Sequence, residues 1–393
     1  MILIKNGRLI TMAGMYEQPG DILLDGKTIA AVGQIDGIPE DCEIIDAAGR
    51  VVTPGLVEAH CHIGLWGTAC AEGMDGNENT NPVQPGLRGI DAINPDDPAF
   101  TEALRHGVTT VVTGPGSSNI IGGTFTALKT AGKTLDSRIV REELAMKSAL
   151  GENPKFNYGK RDKAPKTRMM SAALLREQLF KAREYYENYK INGNRPDFPY
   201  DFNLHSLMRV FEGMRMKIHA HQADDISTAI RIANEFGIRY SIEHCTEGYM
   251  ILDELVENKV ECLLGPTVGG KGKVESKNKT FAAGKILEDA GLLFAFITDA
   301  PFVPIEDQLL QAALYVKSGT SREMALKCLT INAAKITDID SRVGSLEPGK
   351  DADVVIWDVE PLATMSQAGI VIVDGQVAYR RKAGECNADY QEL

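Results

Sequence analysis

Paired histidines are the residues of this sequence best suited to chemistry. Four of its seven histidines form two pairs with one residue between the members, His60 with His62 and His219 with His221. The first pair ends an apolar segment of the kind that forms buried strands. Because side chains of a strand alternate with period two, His60 and His62 point the same way and can share one ion. This spacing predicts a metal site.

Three further apolar segments end in a side chain that can bind a metal. These side chains are His219, His244 and Asp299. Imidazole and carboxylate groups are ligands of zinc and of other first-row divalent metals. In a parallel barrel the carboxyl ends of the strands form the catalytic face, so we expect these ligands to meet at one place.

The segments that must position these side chains alternate with helical stretches. Between residues 54 and 344, eight short apolar segments are typical of parallel strands buried on both faces. Eight such strands predict an α/β fold, a (β/α)₈ TIM barrel, better than an open doubly wound sheet. The predicted strands are 55–62, 108–113, 124–129, 144–149, 216–219, 240–244, 260–264 and 293–299.

Both ends of the chain carry the signals of β-structure. Short apolar runs are separated by Asn6-Gly7 and Asp25-Gly26 near the N-terminus, and by Pro348-Gly349 near the C-terminus. These dipeptides favour hairpins and tight turns. We predict that residues 1–53 and 345–393 form one small composite β-sandwich domain and that residues 54–344 form the barrel.

Composition and charge exclude several classes of protein. The chain has 42 basic and 54 acidic residues, a net charge of −12, which disfavours binding to nucleic acid or to an anionic membrane. No apolar run approaches the ~18 residues of a membrane span, and no secretory signal is apparent, so we expect a cytoplasmic protein. The seven cysteines lack a C-x-x-C pair, which disfavours disulfides and thiolate zinc sites. The expected partner is a small-molecule substrate, and a homo-oligomer is compatible with the sequence.

Two motifs resemble those of the amidohydrolase superfamily, the metal-dependent barrel hydrolases related to urease. Residues 51–62, VVTPGLVEAHCH, are similar to the opening pattern V-x-P-G-x-x-D-x-H-x-H, with Glu58 where Asp is usual. Residues 343–355, VGSLEPGKDADVV, are similar to the family's closing pattern. The resemblance covers nearly the whole chain.

The resemblance implies a role for each strand-end side chain. It implies that His60 and His62 bind a first metal ion and that His219 and His244 bind a second. Asp299 would be both a ligand of the first metal and the general base. The expected cofactor is zinc, as one or two ions.

The resemblance also implies a bridging group on the fourth strand, commonly a lysine carboxylated by CO₂. Lys147 lies on the fourth predicted strand in an apolar context. Lys129, on the preceding strand, is the competing residue. An unmodified Lys147 that merely extends to the surface is the alternative.

These ligands predict metal-assisted hydrolysis of a C–N bond in an amide or cyclic amide. A divalent metal makes a bound hydroxide available at neutral pH, and Asp299 would move the proton to the leaving nitrogen. One alternative is a mononuclear hydrolytic deaminase or an imidazolonepropionase-like enzyme. A barrel relic that serves as a non-catalytic scaffold is a third hypothesis.

Residues in the loops that follow the strands are candidates for substrate binding. For His221, a structural role beside the metal ligands competes with contact to the substrate. The candidates are His221, Trp66, Glu72, Tyr249 and Lys271.

Overall fold

Two eight-stranded sheets organise the part of the chain that the computed structural model describes, residues 1–14, 17–37, 40–66 and 74–382. The strands of the terminal sheet are β1 Ile2–Leu9, β2 Gln18–Asp25, β3 Thr28–Gly33, β4 Glu43–Asp46, β5 Val51–Pro54, β14 Val354–Trp357, β15 Ala368–Val373 and β16 Gln376–Arg380. The strands of the central sheet are β6 Leu56–Cys61, β7 Val108–Thr113, β8 Ile121–Lys129, β9 Ile139–Ala149, β10 Arg215–Ala220, β11 Tyr240–His244, β12 Cys262–Leu264 and β13 Phe294–Phe296.

The α-helices of the described residues lie mainly between the strands of the central sheet. None of them is long and apolar enough to cross a membrane. They are α1 Pro98–Arg105, α2 Leu135–Arg138, α3 Glu152–Gly159, α4 Arg168–Asn192, α5 Phe202–Met208, α6 Ala223–Phe236, α7 Leu252–Glu257, α8 Ala282–Asp289, α9 Gln308–Lys317, α10 Arg322–Cys328 and α11 Ile331–Ile336.

The terminal sheet joins the two ends of the chain. Its strand order is β16-β15-β14-β5-β1-β2-β3, with β4 paired to β1. Strand β14 runs antiparallel to β5, with Val354 opposite Pro54. Buried Ile4 and Val52 of the N-terminal strands pack in one apolar cluster with Val354 and Ile372 of the C-terminal strands. The sandwich arrangement and the domain boundaries stay predictions.

The central sheet forms a nearly closed barrel. Its strands follow chain order from β6 to β13. The two edge strands of this sheet are β6 and β13. Just past their ends, the backbone N–H of His62 donates to the carbonyl of Ala300 at 2.7 Å. Each of the eight predicted strands overlaps one strand of this sheet, so the predicted α/β barrel is confirmed at this level.

The direction of β8 differs from the prediction of eight parallel strands. It pairs antiparallel with both β7 and β9. The connection from β7 to β8 spans only residues 114–120, whereas a parallel crossover needs a dozen or more residues. The chain must therefore turn back directly, and β7, β8 and β9 form a meander.

This reversal places Lys129 far from the predicted site. Because β8 is antiparallel, its last residue lies at the end of the barrel where its neighbours begin. There Lys129 is buried and its Nζ lies 2.8 Å from Asp351, 2.5 Å from Asp353 and 3.6 Å from Asp374. Lys129 thus links the barrel to the segments next to the terminal strands by ion pairs. Of the two competing lysines, Lys147 is the one that faces the histidines.

The long segment between β9 and β10 carries helix α4. The Asn- and Pro-rich sequence of residues 151–201 predicts an insertion with one helix over residues 171–190. Helix α4 spans Arg168–Asn192, and α3 Glu152–Gly159 is a second helix that this pattern does not predict. Helix α4 begins at Thr167, whose side chain accepts a hydrogen bond from the N–H of Met170 and so satisfies one of the free donors of the first turn.

Candidate metal centre

The first of two clusters of possible metal ligands consists of His60, His62 and Asp299. All three side chains are buried, and one ligand atom from each lies within 4.8 Å of the others. Oδ1 of Asp299 is 3.1 Å from Nε2 of His62 and 3.6 Å from Nε2 of His60. Strand β6 delivers the two histidines, as the period-two spacing predicts.

The second cluster consists of His219, His221 and His244. His219 lies on β10, His221 follows that strand, and His244 ends β11. The ring centroid of His244 is 4.4 Å from that of each of the other two, and the His221 and His244 rings are nearly parallel. His221 is therefore a further candidate for metal binding. From the sequence, its alternatives were a structural role and contact with the substrate.

Two of these candidate ligands have strained backbones. His244 and Asp299 have positive φ values of 73° and 54°, in the left-handed region. Such conformations are uncommon for residues other than glycine and concentrate at functional sites. In both cases the strain occurs where a strand ends and turns its side chain toward the centre.

A hydrogen-bond contact at Nδ1 fixes the orientation of each of the five imidazoles. Glu243 and the carbonyl oxygens of Gly114 and Gly265 can only accept, so their imidazole partners carry the proton on Nδ1 and present a lone pair on Nε2. The Nδ1 contacts are His60 to Glu243 at 2.5 Å, His62 to Gly114 at 2.7 Å, His219 to Ser117 at 2.9 Å, His221 to Thr246 at 2.8 Å and His244 to Gly265 at 2.8 Å.

These contacts leave acceptor atoms facing each other. Nε2 of His62 and Oδ1 of Asp299 lie 3.1 Å apart. Nε2 of His244 and Oδ1 of Asp299 are buried and have no hydrogen-bond partner. Buried acceptors without donors are costly unless a cation lies among them. The residues present therefore fit a divalent metal.

Burial keeps four histidines of the site neutral. It lowers the pKa of His60, His219 and His244 well below the ordinary value, and that of His221 to about 4. Only a neutral imidazole can donate its lone pair to a metal. The site is thus ready to bind metal at neutral pH without first releasing protons from these rings.

Lys147 lies on β9 beside the first cluster. Its side chain is fully buried, and Nζ is 3.3 Å from Nε2 of His60. Burial, the main cause, lowers the pKa of Lys147 to about 8. Roughly a tenth of this amine is therefore uncharged at pH 7, far more than of an ordinary lysine, and the uncharged amine is the form that can act as a nucleophile.

Two buried carboxylates that the sequence analysis did not assign support the first cluster. Oε2 of Glu243 contacts both Nδ1 of His60 and, at 2.7 Å, Nζ of Lys217. Glu58 accepts from the N–H of His60 and from both the N–H and the hydroxyl of Thr298, and burial raises its pKa to about 7. A signal for Glu58 existed, because it precedes His60 by two residues on one strand face.

A third buried carboxylate, Glu275, comes from the loop after β12. Its Oε1 lies 3.8 Å from Nε2 of His219 and 3.7 Å from Nε2 of His221. No pattern in the sequence places this loop over the histidines, since the approach depends on how the loop folds back.

A cavity of about 280 Å³ opens above the two clusters. Trp66 and His221 are among its lining residues. Lys271 and Tyr249 lie outside its described lining, and the Tyr249 hydroxyl donates to the carbonyl of Asn278. Glu72 falls outside the described residues. The described lining residues are His62, Trp66, Ser117, Asn153, His219, His221, Pro266, Val268, Gly269, Gly270, Gly272, Lys273, Ser276, Lys279, Asp299, Phe302 and Val303.

A barrel-like α/β fold with histidines and an aspartate at its strand ends defines a class of metal-dependent hydrolases. Residues 51–378 match the amidohydrolase family, and the chain belongs to it. It is accordingly an enzyme, a hydrolase that acts on C–N bonds, in a family that uses divalent metals.

Known proteins share this fold along nearly the whole chain. The crystal structure of an amidohydrolase from Thermotoga maritima MSB8 has 38% sequence identity and a TM-score of 0.93, covering 97% of this chain and 100% of that one. The dihydroorotase of Clostridium acetobutylicum is 27% identical over 93% of this chain and 92% of its own length. The amidohydrolase tasK of Hapsidospora irregularis is 27% identical over 92% of this chain, which spans 40% of that longer protein.

Proposed function

We propose that this enzyme hydrolyses an amide or cyclic amide bond of a small molecule with the help of two zinc ions. The observation that carries this proposal is the convergence of five imidazoles, each fixed by a hydrogen bond at Nδ1, in two adjacent clusters. The ring centroids of His60 and His244, one from each cluster, lie 5.6 Å apart, and the first cluster includes the carboxylate of Asp299. Nitrogen and carboxylate ligands in this combination suit catalytic zinc.

The chain's residues divide between two ions. His60, His62 and Asp299 would hold the first, and His219 and His244 would hold the second. A divalent cation in this place lowers the pKa of a coordinated water from 15.7 toward ~7 and polarises the carbonyl under attack.

Asp299 is the proposed general base. Burial alone would raise the pKa of Asp299, but its neighbours, which include the amine of Lys147, outweigh burial and lower it. The carboxylate is therefore ionised at neutral pH. It would accept a proton from the attacking water and donate that proton to the leaving nitrogen.

Lys147 is the proposed bridging group after carboxylation. Its uncharged Nζ attacks the carbon of CO₂, an N–C bond forms as one C–O π bond opens, and one proton leaves to solvent. The product is a carbamate whose single negative charge is shared by two oxygens. Its buried position beside His60 and its lowered pKa support this reaction over an unmodified, charged lysine.

The walls of the cavity favour an anionic substrate with an apolar portion. Trp66 and Phe302 form an aromatic pair on one side, with ring centroids 5.0 Å apart. Lys279, on the other side, has no carboxylate partner among the described residues. Burial and, to a lesser extent, the charge of Lys271 lower the pKa of Lys279. Lys271 would therefore add to this positive charge.

Metal analysis tests the proposal. We expect about two zinc ions per chain and a 44-dalton carbamate on Lys147, detectable by ¹³C NMR after exposure to ¹³CO₂. One ion per chain with an unmodified lysine would instead support a mononuclear deaminase or imidazolonepropionase-like enzyme. A chain that binds no metal would support the scaffold hypothesis.

A substrate panel tests the reaction class. It should contain N-acyl amino acids, dipeptides, hydantoins and other cyclic amides, each with its neutral carboxamide analogue. Loss of the Lys279 charge in Lys279→Met should raise KM for the acids about 10–100-fold, the value of a charged hydrogen bond, and leave the carboxamides nearly unchanged. Lys277→Met is the matched control, because Lys277 is exposed on the same segment.

A further inference from the structure

Glu275 is buried in the wall of the second histidine cluster. It lies in the short turn Val274–Ser276, and only 1% of its surface is exposed. Oε2 accepts a hydrogen bond from the N–H of Glu152. Oε1 has no hydrogen-bond partner and points toward His219 and His221.

The surrounding chain leaves room for this carboxylate. Gly151, which follows β9, has a φ of +82°, and a Cβ there would come within 3.1 Å of Oε2 of Glu275. A glycine at this position therefore serves both the turn and the close approach. Lys273 is the nearest cation at 3.5 Å, but its side chain is half exposed and its Nζ donates at 2.8 Å to Asn153.

The distances around Oε1 fit ligands of one ion better than hydrogen bonds. The separations of 3.7 Å from His221 and 3.8 Å from His219 are too long for a hydrogen bond. Zinc bonds of about 2.0–2.2 Å place two ligands of a tetrahedral ion roughly 3.4 Å apart. The observed separations exceed this value by only a few tenths of an ångström.

If Glu275 is left out, the second cluster lacks the negative charge that the first cluster has. The first cluster includes the carboxylate of Asp299, whereas the second contains three neutral imidazoles. Among the described residues, Glu275 is the carboxylate whose oxygen approaches two of these imidazoles within 4 Å. It would give the second cation the negative ligand that the first already has.

We propose that Glu275 and His221 are ligands of the second cation, which is then held by three imidazole nitrogens and one carboxylate oxygen. This inference rests on the proposed metal centre and adds two ligands to it. The second ion has four ligands from the chain even without the carbamate of Lys147, so it is retained when CO₂ is withheld.

Zinc retention tests the assignment independently of activity. The holoenzyme and its variants are dialysed against increasing chelator concentrations, and zinc per chain is measured by mass spectrometry. We expect Glu275→Gln and His221→Asn to lose one ion at chelator concentrations at least tenfold below those needed for the wild type. Glu152→Gln, which keeps the backbone N–H bound to Glu275, is the matched control and should retain both ions.

Cobalt(II) in place of zinc provides a second readout, because its visible absorption depends on the ligand set. The spectrum should change in Glu275→Gln and His221→Asn and stay unchanged in Glu152→Gln. If Glu275→Gln does not fold, His221→Asn decides the result by the same two measurements.

Several outcomes separate this inference from the proposed function. Wild-type zinc retention in both Glu275→Gln and His221→Asn would overturn the inference and leave the two-metal hydrolase standing. His62→Asn should lose the other ion, which shows that the assay resolves the two sites. A wild-type chain without zinc would overturn both the proposed function and this inference.

Discussion

At the residue scale, the chemistry of the site depends on which nitrogen of each histidine is free. Carbonyl oxygens and the Glu243 carboxylate hold Nδ1 of three imidazoles, so Nε2 is the atom with the lone pair in each. The same hydrogen bonds assign a role to Glu243, which holds a proposed metal ligand and would not itself contact the metal. Glu243 orients His60 and is itself neutralised by Lys217.

Glu243→Gln should weaken metal binding and destabilise the barrel. We expect metal affinity to fall about 10–100-fold, the usual effect of losing a carboxylate behind a metal-bound histidine. Lys217 then keeps a buried charge without its partner, which should cost about 3–5 kcal/mol in the free energy of unfolding. Chelator competition and urea denaturation measure the two effects.

The double variant Glu243→Met with Lys217→Met provides the control. Removing both charges should restore much of the stability, because neither charge is then buried alone, but should not restore metal affinity. Recovery of metal affinity in the double variant would contradict the positioning role of Glu243.

The lowered pKa of His221 should make the metal-free protein acid-sensitive. His221 has a pKa of about 4 in the folded chain and about 6.5 when unfolded. Between these values the unfolded chain binds more protons, so stability falls as pH drops from about 6.5 toward 4. Above pH 6.5 His221 adds no pH dependence. The full loss from this group is about 3 kcal/mol.

Urea denaturation of the chelated protein at several pH values measures this loss. Glu58, with its raised pKa, acts in the opposite direction, so the difference between wild type and His221→Asn isolates the histidine. An identical pH dependence in the two proteins would show that His221 is not kept neutral by burial.

At the element scale, the reversal of β8 gives the two interior lysines different tasks. Lys147 ends up beside the metal ligands, whereas Lys129 is buried against three aspartates at the opposite end of the barrel. Two of these aspartates, Asp351 and Asp353, belong to the motif that closes the family pattern. The motif therefore has a structural function here, the attachment of the terminal strands to the barrel.

Lys129→Met should destabilise the protein without removing metal. Its loss leaves the buried carboxylate of Asp353 without a cation, at a cost of about 3–5 kcal/mol, whereas Asp351 and Asp374 keep Arg342 and Lys27 as partners. Lys147→Met should instead reduce bound metal. Lys133→Met, an exposed lysine nearby, should change neither stability nor metal content. If Lys129→Met lost metal and Lys147→Met kept all of it, these assignments would be wrong, and Lys129 would be the lysine that supports metal binding.

At the scale of the whole molecule, the barrel and the terminal sheet share a core. Val355, Trp357 and Val371 of the terminal sheet belong to the same apolar cluster as Leu56 and Phe100 of the barrel region. Trp357 also donates its indole N–H to the hydroxyl of Thr53. Continuous packing of this kind favours a single cooperative unfolding transition.

The two tryptophans of the chain test this cooperativity, because Trp66 lies in the cavity and Trp357 in the terminal sheet. In Trp66→Phe, the fluorescence of Trp357 should follow the same urea transition as far-UV circular dichroism. In Trp357→Phe, zinc should change the fluorescence of Trp66, which lies 4.6 Å from the His62 ring. Separate midpoints for the two probes in Trp66→Phe would show that the terminal sheet unfolds independently.

Much of this centre follows from the sequence by itself, because local periodicity determines which side chains share a strand face. The spacing of His60 and His62 predicts their common direction, and the apolar segments that end in His219, His244 and Asp299 predict where these ligands lie. The insertion helix and the barrel-like sheet follow from the same short-range patterns.

Only the tertiary structure decided the direction of β8, the approach of Glu243 and Glu275, and the place of His221 among the possible ligands. Each depends on contacts between segments far apart in the chain. Glu275 lies 54 residues from His221, and Glu243 lies 183 residues from His60. Strand periodicity carries no information at such separations, because which buried groups meet is set by loop paths and by the closure of the barrel.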